Sequence, residues 1–304
     1  MELDPKQRKV PQIPPQGHRL RTLIDSDAKN EIDDQWALAL ALLSPERFAI
    51  EGFVGANFSN SFSDGPDSVE QSVREIELLL DKAGRASGPN SDRRYPVLPG
   101  AHPMRYPSEP SRSEGVDFLI ERAMAGSPED PLWVIGLGAA TDIASAYLLE
   151  PKIVDRVVVF WHFRTRWPVQ CYNFNVIGDV HAARTVYHSP LSFVLFDTGT
   201  YLRCPMEESE RYVRPYGELG RYLHDYRRVR PRFQSDRKGF FDLGDVAALV
   251  DPGLACWEET ECPEVGWDLA YQFKGTLGSI QRCYHVDRDR TFGLLYDKLA
   301  AAYG

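Results

Sequence analysis

The sequence predicts an α/β fold with a doubly wound, mainly parallel central sheet and helices on both faces. Three observations lead there. Apolar runs of strand length alternate with helical patterns from residue 19 onward. The strand runs are near-continuously apolar, as strands buried on both faces are. The first helical pattern, Trp36, Leu38, Leu40, Leu42 and Leu43 among alanines, has almost no polar side, as a helix laid on a sheet requires.

In chain order, residues 1–17 carry Pro5, Pro11, Pro14 and Pro15 with little apolar periodicity. They read as an extended arm, packed on a partner subunit or on the domain surface, preceding one α/β domain over 18–304. A strand is expected over 19–24 and a helix from Asp33-Asp34, which occupy the N-cap and first turn. A strand over 48–54, a polar loop over 58–68 and a helix over 69–83 follow. After a second polar loop over 84–95 come a short strand at 96–100, a helix near 115–125, a strand over 132–137 and a helix over 142–149. Strand 153–160, helix 180–187 and strand 192–196 continue the alternation. Beyond it, 207–230 reads as surface helix whose tyrosines pack, 245–250 as a helix, 264–286 as strands and 292–303 as a closing helix.

Composition narrows the function. The chain has 304 residues, 43% hydrophobic and 26% charged, enough apolar material for a sizeable core. A formal net charge of -9 argues against a general binder of nucleic acid or of anionic membranes, but not against a small ligand or a divalent metal. The opening residues lack the apolar segment of a secretory signal, and no apolar run approaches the roughly 20 residues of a membrane span. Cys171, Cys204, Cys256, Cys262 and Cys283 are odd in number and form no CxxC pair, which fits reduced thiols in a cytoplasmic protein.

The densest chemistry lies between the first strand and the first helix, where Asp25, Asp27, Glu31, Asp33 and Asp34 fall within ten residues. Like charges held that close repel, and burial raises the cost, so a cation or a shared proton is expected. In doubly wound sheets, ligands bind beyond the carboxyl ends of the strands. That rule brings the acidic loop together with Asn57, the 138–141 segment and the loops after Phe160, and Asp245 can join them. Oxygen donors without a His/Cys cluster suit Ca²⁺ or Mg²⁺. An EF-hand starting at Asp25 fails, because Asn30 and Trp36 stand where Gly and Glu are needed. A haloacid-dehalogenase-type phosphatase, with Asp25 as nucleophile, fits Asp25-Ser26-Asp27, although Lys29 stands where Thr or Val is expected; it is the alternative reading.

Six segments together resemble the inosine/uridine-preferring nucleoside hydrolase family. Asp25-Ser26-Asp27 with Asp33-Asp34-Gln35-Trp36-Ala37 resembles its DTDxGxDDxxA signature, and Gly55-Ala56-Asn57 its GN. Pro99-Gly100-Ala101-His102-Pro103 is similar to GAxxP, and Gly138-Ala139-Ala140-Thr141-Asp142-Ile143-Ala144 to GPLTNIA. Asn173-Phe174-Asn175 with Asp179 and Ala182-Ala183 resembles EFNxxxDPxAA, and Gly244-Asp245-Val246-Ala247-Ala248 resembles HDPLAVA. They occur in the family's order.

The resemblance implies a nucleoside hydrolase-like fold and a calcium-dependent hydrolase of the N-glycosidic bond in a ribonucleoside or related N-riboside, assembled as a homodimer or homotetramer. It implies Asp27, Asp34, Asp245 and the backbone carbonyl of Thr141 as Ca²⁺ ligands, with Asp27 also the general base. Asp33, Asn57 and Asn175 would hold the ribose hydroxyls. The pattern is broken at four places. The acidic loop is about two residues longer, placing Lys29 and Glu31 at the rim, where Lys29 can partly neutralise the cluster. Asn173 replaces a Glu that holds the far end of the ribose. Gly244 replaces a His that protonates the leaving base in purine-cleaving members. Trp161-His162 replaces Gly-Gly, and with Arg164, Arg166 and Trp167 it can form a lid, so Trp161, His162 and Asn173 are candidate substrate contacts. These departures leave open a ribose-binding relative with little or altered hydrolase activity.

Overall fold

A computed structural model describes residues 4–58, 67–84 and 95–304. The expected loops over 58–68 and 84–95 lie mostly outside the described residues. Among the described residues the main sheet has eight strands in the order β3-β2-β1-β4-β5-β6-β10-β7. These are β1 (Leu20–Ser26), β2 (Phe48–Gly55), β3 (Val97–Pro99), β4 (Leu132–Gly136), β5 (Val157–Phe163), β6 (Ser192–Asp197), β7 (Ala255–Glu261) and β10 (Ser279–Val286). All neighbours pair in parallel except β10 and β7. A small antiparallel pair, β8 (Glu264–Val265) and β9 (Tyr271–Gln272), stands apart.

The apolar strands are the buried ones. Every residue of β4, β5 and β6 is buried, because helices cover both faces. One face carries α1 (Asp33–Leu42), α2 (Ser68–Lys82), α8 (Gly217–Tyr226), α9 (Phe241–Val250) and α10 (Arg288–Tyr303). The other carries α3 (Glu114–Met124), α4 (Thr141–Leu149), the short α5 (Phe174–Gly178) and α6 (Val180–His188). The remaining helix, α7 (Met206–Tyr212), packs beside α8. All of α1 is buried, since it lies on the sheet and under α9 and α10, with Trp36 against Phe240 and Phe292. Cutting Trp36 to alanine there would cost about 3–5 kcal/mol.

Several boundaries differ from the sequence reading, each for a local reason. The N-cap of α1 is Ile32, so Asp33 and Asp34 are its first two residues. A 3-10 turn over Pro151–Asp155, with Pro at its start, delays β5 to Val157, and the strand then runs on to Phe163. Within 264–286 only β8, β9 and β10 are strands. Most consequentially, α9 begins at Phe241 rather than at Asp245.

The tyrosines of 212–226 pack as expected: Tyr212 stacks on Tyr296 and Tyr226 on Phe233. The described part of the proline-rich arm lies on its own domain. Arg8 is buried and donates to the carbonyls of Tyr187 and Ser189. Arg47 donates to the carbonyls of Pro14 at 2.7 Å, Pro15 at 2.8 Å and His18 at 2.6 Å. Among the described residues no helix is long and apolar enough to cross a membrane.

Candidate active site

Strand order reverses at β1, which has β2 on one side and β4 on the other. A sheet of this kind opens a crevice beyond the carboxyl ends of the strands at that switch point. The crevice found there measures about 420 Å³, a volume suited to a small molecule. Its wall includes Asp27, Asp33, Asp34, His162, Asn175 and Asp242.

Asp27 follows directly on β1, and the loop folds back so that Asn30 donates to Asp27 Oδ2 at 3.2 Å. The start of α1 then brings in the next two carboxylates. Ser26 Oγ donates to Asp34 Oδ1 at 2.6 Å, tying strand end to helix start. Asp33 is held from across the chain: Lys238 Nζ lies 2.9 Å from Oδ1, and the Phe241 amide donates to Oδ2 at 3.0 Å. Lys238 also reaches Glu31 at 2.6 Å. Gly138, after β4, is needed at close quarters, because a Cβ there would stand 2.9 Å from Ala56 Cβ and 3.2 Å from Asp27 Cβ.

Burial and mutual repulsion govern the charges. Burial, then Asp34, Asp33 and Glu31, push Asp27 well above the usual carboxylate range. Burial and Asp33 push Asp34 up to about 7. Burial and the neighbouring carboxylates raise Asp242 as well. Asp33 goes the other way: burial alone would raise it, but Lys238 outweighs that and holds it below its ordinary value. Oxygens of Asp33, Asp34 and Asp242 lie within 4.8 Å of one another. A divalent cation fits this donor set: buried hard oxygens, with Asp34 and Asp242 raised where no positive charge answers them.

Asp242 was not singled out from the sequence. The residue chosen, Asp245, is completely buried and does not line the crevice. Its Oδ2 lies 2.7 Å from His162 Nδ1, and the pair takes up much of its charge, so burial lifts it only to about 6. The early start of α9 explains the difference, since it puts Asp242 in the first turn and Asp245 one turn deeper. Matching Phe241-Asp242-Leu243-Gly244-Asp245-Val246-Ala247 to HDPLAVA, three residues earlier than before, keeps Val and Ala in register. The position of the family's His is then Phe241, which lines the crevice, whereas Gly244 packs against Leu202 and Phe196.

The other predicted residues separate into two groups. Asp27, Asp33, Asp34, His162, Asn173 and Asn175 come together on the crevice wall. Asn173 Oδ1 caps α5 by accepting from the Val176 amide at 2.8 Å, and Asn175 Nδ2 donates to the Leu137 carbonyl at 2.7 Å. Asn57 is buried and accepts from Ser68 Oγ at 2.9 Å, and Thr141 donates to Asp179 at 2.8 Å; neither side chain lines the crevice.

Trp161 points to the opposite side of β5 from His162. It is fully buried on Phe163 and donates to the Gly138 carbonyl at 2.8 Å, so no lid forms from it. Trp167 packs on Tyr271 and Phe273, leaving Arg164 as the residue of that loop on the wall. Lys29 turns away to Glu75 at 2.7 Å rather than neutralising the cluster. Asp25 is sealed: neither oxygen has a hydrogen-bond partner among the described residues, and burial with Asp142 raises its carboxyl far above normal. The phosphatase alternative therefore lacks an accessible nucleophile.

The crevice at the switch point of this mainly parallel sheet is thus acidic, oxygen-lined and able to take a metal ion. The sequence profile of the inosine-uridine preferring nucleoside hydrolases matches residues 22–290, and the chain belongs to that family. It is accordingly an N-glycosyl hydrolase whose substrate class is a small nucleoside. Solved structures share the fold at low identity. A plant nucleoside hydrolase is 19% identical, with a TM-score of 0.69 over 93% of this chain and 100% of that one. A purine-preferring ribonucleoside hydrolase from Gardnerella vaginalis is 17% identical, at 0.66 over 93% and 98%. An inosine-uridine preferring nucleoside hydrolase from Bacillus anthracis is 14% identical, at 0.68 over 93% and 99%. No curated protein matches the chain in sequence.

Proposed function

We propose that the crevice binds Ca²⁺ and hydrolyses the N-glycosidic bond of a ribonucleoside or related N-riboside, with Asp27 as general base. The observation that carries this reading is the convergence of Asp27, Asp34 and Asp242, all buried and all raised by burial and neighbouring carboxylates, at the sheet's switch point. These three carboxylates, with the Thr141 carbonyl, are the assigned ligands, Asp242 taking the place first given to Asp245. When bound, the ion supplies positive charge to the cluster and polarises the oxygens around it.

The chain's own residues do the rest. Asp27 accepts the proton of the attacking water, a role suited to a carboxylate whose proton affinity is raised. Asp33 and Asn175, with Asn57 supporting from behind the wall, hold the ribose hydroxyls. Asp33 is aimed by Lys238 and the Phe241 amide, and Asn175 by the Leu137 carbonyl. The anionic floor favours the positive charge that develops on the sugar as the bond to the base breaks. His162, the one histidine on the described wall, contacts the substrate. Assembly as a homodimer or homotetramer is proposed on the family resemblance, and a cytoplasmic location on the five unpaired cysteines.

The test is release of reducing sugar from a nucleoside panel, with Ca²⁺ and after chelation. Asp27→Asn should lower kcat by about 10²–10⁴-fold. Turnover indifferent to chelator, or a wild-type rate in D27N, would overturn the assignment.

A further inference from the structure

Two guanidinium groups stand on the crevice wall with no anion to hold. Arg164 follows β5 and Arg237 precedes α9; both line the crevice and are exposed. Neither makes an ion pair or a side-chain hydrogen bond among the described residues, and Arg164 rests over the Phe241 ring, 4.8 Å from its centroid. A third donor is idle as well. Asn173 is only 8% exposed, its Oδ1 is used in capping, and its Nδ2 has no acceptor among the described residues.

The carboxylates of the crevice do not account for these donors. Glu31 and Asp33 are taken by Lys238 at 2.6 and 2.9 Å, and Glu31 also faces Arg232 at 3.5 Å. Asp242 lies 3.4 Å from His162 Nδ1, and Asp34 is bonded to Ser26. The site is therefore polar in the electrostatic sense: an acidic floor, and a wall that carries two uncommitted positive charges and a buried amide donor. A guanidinium in that setting binds phosphate or carboxylate strongly and with directional preference. A neutral riboside would offer these donors hydroxyl and carbonyl oxygens, but no negative charge to match the two guanidinium groups.

We infer that the substrate is an anionic N-riboside whose phosphate or carboxylate is held by Arg164, Arg237 and the Asn173 amide. This rests on the hydrolase reading above and names its substrate class. The anion can be a phosphate ester on the sugar or a carboxylate on the base, and the two are separable.

Full-length protein with Ca²⁺ is assayed for turnover, and by calorimetry for binding, on two matched pairs: inosine with inosine 5′-monophosphate, and uridine with orotidine. In one pair the anionic member is expected to be favoured by about tenfold or more in kcat/KM and in Kd. A preference for inosine 5′-monophosphate places the charge on the sugar; a preference for orotidine places it on the base. Arg164→Gln and Arg237→Gln should each shrink that ratio by about fivefold or more. Neutral members used as well as the anionic ones in both pairs, or variants that lower both members alike, would overturn the inference. If none of the four is hydrolysed, the hydrolase reading fails on its own. The binding constants then still decide: tighter binding of an anionic member supports the inference, and equal binding within both pairs refutes it.

Discussion

His162 Nδ1 lies 2.7 Å from Asp245 Oδ2 and 3.4 Å from Asp242 Oδ1, so one imidazole separates a carboxylate facing the crevice from one sealed behind it. The two aspartates are three residues apart on one helix, which sets them side by side on the face toward β5. Their roles differ by depth alone.

That difference is measurable. Asp242→Asn should weaken Ca²⁺ binding by about 100-fold or more, since it removes an oxygen of the proposed ligand set. Asp245→Asn should weaken it by only about tenfold or less, because it acts through His162. It should nonetheless lower kcat/KM for a riboside by about tenfold, through loss of the imidazole's orientation. Calorimetric titration with Ca²⁺ and steady-state kinetics read the two effects separately. Equal loss of calcium affinity in both variants would contradict the assignment.

The metal-free protein should become less stable as pH rises. Asp34, pushed up to about 7, and Asp245, pushed up to about 6, hold protons in the folded state that the unfolded chain has released. Asp27 and Asp242 act in the same direction. A raised carboxyl contributes stability that is complete below its unfolded value of about 4 and is lost as pH climbs through the folded one. The loss is about 1.4 kcal/mol per pH unit for each proton concerned. Asp33, held low by Lys238 against the effect of burial, contributes in the opposite sense, and its share is lost only on acidification. Because Ca²⁺ needs the carboxylates ionised, the rise in Tm on adding it should grow from pH 5 to pH 8. Thermal melts in chelator and in Ca²⁺ across that range test this; a calcium effect that shrinks with pH would contradict it.

Lys238 is buried between Asp33 and Glu31, and its charge holds both. Lys238→Met removes the cation and leaves a buried Asp33 with only the Phe241 amide. Breaking a buried pair from one side costs about 3–5 kcal/mol, and the partial exposure of Glu31 places this case toward the lower figure. Urea denaturation measures the loss. A variant as stable as the parent would mean that Asp33 is neutral in the folded protein.

Much of the fold and part of the site were legible in residue order. Near-continuous apolar runs, such as the one ending at Phe160, read as strands covered on both faces, and a helix as apolar as α1 reads as one laid on a sheet. The carboxylates crowded between two buried segments called for a counter-charge, and the family resemblance picked out Asp27 and Asp34 among them. Asp242 was missed because Phe241-Asp242-Leu243-Gly244-Asp245 offers two aspartates before an apolar stretch, and either could start a helix. Trp161 and His162 were read as one lid, although adjacent strand residues must face opposite ways. The alternation reaches them only because β5 runs on to Phe163, past the expected end at Phe160.

The sequence by itself determined the layers, the strand-end crevice and the need for positive charge in the first loop, since apolar period and local charge density are properties of neighbours. Only the tertiary structure decided how that charge is shared. Lys238 meets Asp33 across 205 residues, and His162 meets Asp245 across 83, because their segments end at the same edge of the sheet. Which distant side chains meet at that edge depends on how the strands are ordered and where each helix begins, and neither is written in the spacing of nearby residues.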